Sequence, residues 1–188
     1  WRLQAPMQIQ LTDDSYQFSP FCLGNINHSA HVCAEDAVSA IAIDGREFPL
    51  FLLQPWLNNA GKEFTYSGNA TLKGELSKDF SLSGAGFVNL HAPVLKIGVK
   101  STAENEVTRI DDVRLEANWF GQRIAAKLSA TLPQRGFIEG QLNSGFSDNA
   151  ALSGKLKAQI YDLDWLELFS LDIAQPKGRI SGDLSLTG

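Results

Sequence analysis

The chain has 188 residues, a formal charge of −5 and an apolar fraction of 44%, which suits one domain or two small ones. The acid excess and the scattered Lys and Arg exclude a nucleic-acid footprint, which needs clustered basic charge. The longest apolar stretch, Phe48 to Leu53, falls far short of the roughly 20 residues that cross a bilayer.

No basic-then-apolar leader is read at the start. The chain opens on Trp1 and stops at Leu186-Thr187-Gly188 within a predicted strand, so a piece of a longer protein is expected. The first motif is Cys22 and Cys33 with His28 and His31 between them, a C-x5-H-x2-H-x-C spacing. Zinc would accept four such donors, although tight structural sites draw on knuckles such as C-x2-C. Gly24-Asn25-Ile26-Asn27 reads as a turn between two strands, which sets the cysteines roughly opposite each other on a hairpin. A bridge there would remove loop entropy worth about 3 kcal/mol and would imply an oxidising compartment. The disulfide is the expectation, and zinc the alternative.

Pro49 to Leu57 follows as a dense apolar segment, read as one or two helical turns that Pro55 must kink or end. From there a period of two dominates. Ala70, Leu72, Gly74 and Leu76 give way to Phe80, Leu82 and Gly84. Val113, Leu115, Ala117 and Trp119 alternate with Arg114, Glu116 and Asn118, and the pattern resumes as Ile124, Ala126, Leu128, Ala130 and Leu132. Leu152, Gly154, Leu156, Ala158 and Ile160 repeat it. Such alternation predicts strands with one face in an apolar environment and one in water. Glycines within these strands mark bulges, bends or places where something approaches the backbone closely.

Leu163 to Leu171 is apolar nearly all round, with Asp164 and Glu167 spaced as a capping box. It predicts a short buried helix that plugs one end or edge of the sheet. Ser67-Gly68-Asn69-Ala70-Thr71-Leu72-Lys73-Gly74 recurs as Ser181-Gly182-Asp183-Leu184-Ser185-Leu186-Thr187-Gly188, each copy after an apolar segment. The expected organisation is one β-rich segment with internal units 1–66 and 67–180 and a further unit beginning at 181.

No catalytic constellation interrupts the pattern. Asp13-Asp14, Asp111-Asp112 and Glu104 with Glu106 lack calcium-loop spacing and are assigned to solvated turns. No G-x-S-x-G elbow is present, and His91, before Ala92-Pro93, is read as a strand-end residue. A non-enzymatic protein without metal or cofactor is expected. Its fold class is all-β: a long curved, folded-over sheet, a taco-like groove or half-barrel, with one or two short helices.

Trp1-Arg2-Leu3-Gln4, Ser19-Pro20-Phe21-Cys22-Leu23 and His31-Val32-Cys33 resemble the paired-cysteine region of the TamB family, the inner-membrane subunit of the bacterial translocation and assembly module. Ile41-Ala42-Ile43, Phe48-Pro49-Leu50, Leu53-Gln54-Pro55-Trp56-Leu57 and Leu72-Lys73-Gly74 follow the same pattern. The likeness is most specific between Trp1 and Gly74 and points to a later part of such a chain. Polar insertions such as Ser101-Thr102-Ala103-Glu104-Asn105-Glu106 depart from it and are read as external loops. The resemblance implies the periplasmic portion of an inner-membrane-anchored protein with an apolar groove. It also implies a TamA-like outer-membrane partner, contacted outside this segment, and clients that are phospholipid acyl chains or nascent outer-membrane protein strands. Its roles would be outer-membrane protein assembly, autotransporters included, and phospholipid transport between the two membranes.

The residues assigned to that groove are Leu72, Leu76, Leu82, Val113, Leu115, Ala117, Trp119, Ile124, Ala126, Leu128, Ala130, Leu132, Leu156 and Ala158. Small inward residues such as Ala117, Ala126, Ala130 and Ala158 would leave room for an acyl chain, each CH2 of which gains about 0.8 kcal/mol on burial. On this reading Leu128→Asp buries a charge and unfolds the chain or empties the groove. The alternative is a closed β-sandwich for carbohydrate binding or adhesion, with Trp56 or Trp119 stacking on sugar.

Overall fold

A computed structural model of the chain describes residues 1–12, 15–27, 29–36, 40–54, 64–78, 84–99, 107–145, 150–163 and 177–188. In chain order the strands are β1 (Arg2–Leu3), β2 (Ile9–Thr12), β3 (Ser15–Phe18), β4 (Phe21–Gly24), β5 (His31–Asp36), β6 (Ala40–Pro49) and β7 (Phe64–Ser67). They continue as β8 (Asn69–Ser77), β9 (Ala85–Val99), β10 (Val107–Phe120), β11 (Arg123–Leu132), β12 (Gly136–Gly145), β13 (Ser153–Ile160) and β14 (Ile180–Thr187). The fold is all-β. Twelve strands form one antiparallel sheet in the order β1-β4-β5-β6-β8-β9-β10-β11-β12-β13-β14, with β7 beside β9, and β2 and β3 form a separate hairpin. The sheet does not close into a barrel, nor does a second large sheet face it among the described residues, so the β-sandwich alternative is not the architecture found.

Short connections make neighbours in sequence neighbours in the sheet. Gly121 and Gln122 alone join β10 to β11. Gly121, at the first central position, has φ 59, the conformation in which a two-residue turn matches the twist of its strands. Leu50–Leu53 is a 3-10 turn, and its opening amide, Leu50 N–H, donates to the Gly68 carbonyl at 2.9 Å. The second expected helix, with Phe80 and Leu82, lies outside the described residues.

Two bulges bend the long strands. In β6 the register shifts between Gly45 and Phe48, where Glu47 has φ 50. In β10 it shifts against β11 between Asp111 and Arg114, where Asp112 has φ 51. This corrects the assignment of Asp111-Asp112 to a turn: the extra residue of a bulge keeps Val113 on the apolar face while the strand continues. His91 is likewise not at a strand end, because β9 continues to Val99. Pro93 sits where neither ladder pairs, since that with β8 ends at His91 and that with β10 skips position 93. It falls opposite Asp112, between the pairs Ala92↔Val113 and Val94↔Asp111, and irregular ladders are where proline fits.

Tight burial falls at both ends of β6, at Ala40 and Ile41 where it starts and around the turn that follows it. Leu50, Ala70 and Ala92 form a small cluster against which Leu90, Leu95 and Val113 pack. Leu132 and Ile160 are also buried and flank Gly136 in register. Among the described residues no large side chain is fully enclosed. This is a sheet with small separate buried clusters, not two layers around a filled interior.

Candidate functional site

Register turns the alternation into rows that run across the sheet. Leu3, Leu23, Val32, Gly45, Leu72, Leu90, Leu115, Leu128, Gly140, Leu156 and Leu184 are successive cross-strand partners from β1 to β14. The adjoining row on that face is Phe21, Ala34, Ile43, Gly74, Val88, Ala117, Ala126, Leu142, Gly154 and Leu186. A period of two sends every second residue to one face, so a constant register lines the apolar sets up.

Over β10–β14 this face is open. Leu115 is 38% exposed, Leu128 43%, Leu142 42%, Leu156 44%, Leu184 63% and Leu186 47%. These leucines, with Ala126, Gly140 and Gly154, line a trough of about 350 Å³. The glycines matter for space: nothing lies closer than 3.7 Å to where a Cβ of Gly140 would stand. Leu128 was assigned a buried place by its alternation. Its alternation is kept, but it is half in water, so the expectation that an Asp there buries a charge is corrected.

The assigned groove residues among those described fall into five rows, one for each of Ile124, Ala126, Leu128, Ala130 and Leu132 on β11. Leu72, Leu115, Leu128 and Leu156 lie in the first row, and Ala117 and Ala126 in the second. Leu76, Trp119 and Ile124 lie in the next, towards the β10–β11 turn. On the other side of the leucine row, Ala130 and Ala158 pair through Ile138, while Leu132 is buried. Val113 packs on the Leu50 cluster, and Leu82 lies outside the described residues. Trp119 pairs with Gly86, and a Cβ at Gly86 would collide with its indole. That places the ring over the apolar face and away from a sugar platform. Trp56 lies outside the described residues.

Leu142, Leu184 and Leu186 belong to the trough but were not assigned to it. The β14 leucines were visible only as part of the repeat. Leu142 was masked by its strand, where Gly140 breaks the apolar set and Phe137, on the other face, lies 5.6 Å from Lys157 Nζ.

The opposite face is polar. Asp44, Lys73, Asn89, Glu116, Lys127, Gln141 and Lys155 form one cross-strand row. Beside it His91 Nε2 lies 2.8 Å from Asp112 Oδ1, to which Arg114 Nε donates at 2.9 Å. The Arg114 guanidinium, then His91, hold the Asp112 carboxyl below its ordinary pKa. Cys22 and Cys33, partners in register, are joined by a disulfide. With both sulfurs bonded to each other, the zinc alternative loses its two thiolate ligands. Among the described residues no group of three potential ligands could hold a metal.

One charged pair is held in the buried part. Asp36 Oδ2 accepts from Phe18 N–H at 2.9 Å, while Oδ1 meets the Lys78 ammonium, with the Asp36 side chain only 6% exposed. The hydrogen bond from Lys78 is the main cause that lowers the Asp36 pKa. A depressed carboxylate pKa stabilises the fold above the unfolded value near 4, and that contribution is lost as pH falls through the folded value. Asp36→Asn is therefore expected to lower the melting temperature at neutral pH, with the difference from wild type shrinking below about pH 4. A constant difference across that range in pH-resolved melts would assign Asp36 no such role.

Among the described residues no helix is long and apolar enough to cross a membrane. No curated protein and no solved structure matches the chain. A family model described as "TamB, N-terminal domain" matches residues 1–188. That description places the match in the family's N-terminal domain, where the resemblance pointed to a later part. With the whole length matched, the chain belongs to the TamB family.

Proposed function

We propose that the apolar trough is the working surface of this chain and that it holds the acyl chains of phospholipid in the periplasm. The carrying observation is the set of six half-exposed leucines in register over β10–β14. Together they leave about three leucine side chains' worth of surface in water, which gains about 4–8 kcal/mol when covered. Monomeric proteins rarely leave such contiguous patches without a client. An acyl chain needs only greasy walls, which the rows supply continuously across the sheet. The reading requires no bond-making chemistry, and it places the chain between an inner-membrane anchor and a TamA-like outer-membrane partner, contacted elsewhere in the protein.

A second client class is the nascent strand of an outer-membrane protein, which would be held by the backbone hydrogen bonds of β-augmentation and not by greasy walls alone.

Photo-crosslinkable residues at Ala126 and Ala130, with Lys127 as the outward control, separate these readings in cells. Lipid adducts at the inward positions are expected, and none at Lys127. Protein adducts there would favour the strand client, and crosslinks confined to the chain itself would defeat both. Native mass spectrometry of the purified chain should show phospholipid travelling with it.

A further inference from the structure

We propose a saccharide site on the opposite face, at the β10–β11 end of the sheet, for a pyranose oligosaccharide carrying acetamido groups. An open depression of about 730 Å³ lies there, floored by exposed side chains. Its floor is one cross-strand row, Asn118, Ala125, Asn143 and Ser153, whose members are direct partners on β10, β11, β12 and β13. The next row on this face, Glu116, Lys127, Gln141 and Lys155, is charged, and so is the one beyond it, with Arg114, Glu139 and Lys157. The row at this site carries no charge. Arg123 is the one charged side chain among its described lining residues.

Polar amides and hydroxyls beside apolar Phe120, Ala125, Ala150 and Ala151 suit the two-sided chemistry of sugar better than phosphate. Amides and hydroxyls both donate and accept, as the alternating needs of sugar hydroxyls require. Phe120, 79% exposed at the rim, offers an aromatic face to the apolar C–H side of a pyranose ring. Ala125 leaves a depression beside Asn143, and Ala150 adds a second methyl group as a wall. A Cβ at Gly145 would come within 2.6 Å of Ala150 Cβ, so glycine there is what lets Ala150 close on the sheet. A methyl-lined depression next to a primary amide matches an acetamido group, whose methyl and amide ends need those two surroundings. The site lies on the other face from the leucine trough and stands independently of it.

Titration of the isotope-labelled chain with chitotriose, against cellotriose as the ring-matched probe without acetamido groups, tests the proposal. Saturable shifts at Asn118, Ala125 and Asn143 are expected with chitotriose, and weaker binding with cellotriose. Asn143→Ala should weaken chitotriose about tenfold, the worth of one good hydrogen bond, and Ala125→Leu should abolish binding by filling the depression. Lys127→Ala, on the charged row, should bind as wild type, and matching melting curves show that the variants are folded. No saturable shift with chitotriose overturns the site, as does equal affinity for cellotriose or unchanged affinity in both site variants.

Discussion

Leu132→Asp is expected to abolish cooperative folding, whereas Leu128→Asp, four residues earlier on the same strand, keeps the sheet and empties its trough. Both leucines sit on the apolar face of β11, but Leu132 is 2% exposed and Leu128 43% exposed. A carboxylate at 132 would be buried beside Gly136, with no cation partner there in register. Burying an unpaired charge costs several kcal/mol, against a total stability of about 5–15 kcal/mol for a typical domain. At 128 the carboxylate stays hydrated at the trough surface, so the fold survives while its headgroup-sized shell of water displaces acyl chains. Thermal melts with phospholipid recovery from the purified variants check both statements. Equal melts would show that the face has no graded depth. Lys127→Ala is the outward control. Lys127→Asp is a poorer one, because it would set a carboxylate opposite Glu116 and like charges directly opposite destabilise a sheet.

The strands from Val113 to Leu132 were legible because a half-wetted sheet writes its two faces directly into the sequence. Which members of the apolar face are deep was not legible. Leu128 and Leu132 carry the same residue type in the same phase, yet Leu132 is 2% exposed and Leu128 43%. The β10 bulge left a misleading trace: Asp111-Asp112 reads as a turn because two consecutive carboxylates break the alternation. In the structure that break is what restores the phase, with the two carboxylates taken up by Arg109 at 2.7 Å and by Arg114 and His91.

The candidate site was legible in its rows but not in its extent. Strand β12 hides its inward set because Gly140 supplies no side chain and Phe137 lies on the other face, so Leu142 went unassigned. Register is a long-range property, and the eleven-strand row from Leu3 to Leu184 exists only once every neighbour is known. The repeat illustrates the same limit. Ala70 and Leu72 lie on the apolar face, as Leu184 and Leu186 do, yet Gly68 has φ 127 and its position against the Val94 carbonyl has no room for a Cβ. Gly182, in contrast, stays in regular pairing with Ala158.

Removing the disulfide, by Cys22→Ser with Cys33→Ser, is expected to loosen one end of the sheet and leave the other almost untouched. The bridge closes a loop with a sequence separation of 11, worth about 3 kcal/mol of unfolded-state entropy. The elements it secures have little else. Strand β4 has four residues, β1 has two, and β1 pairs only with β4 among the described residues. The β2–β3 hairpin reaches this end through the Phe18 N–H bond to Asp36 and the Phe18–Phe21 ring contact at 5.6 Å. Strands far along a single sheet touch only their neighbours, so the loss should decay with distance in the manner of a repeat array. Amide hydrogen exchange should therefore lose protection in β1, β4 and β5 while β10–β13 keep theirs. Reduction of the wild-type chain should reproduce that pattern, and thiol labelling of unreduced, unfolded protein should find no free sulfhydryl. Uniform loss of protection across all strands would instead make the sheet one cooperative unit, and the bridge a global determinant of its stability.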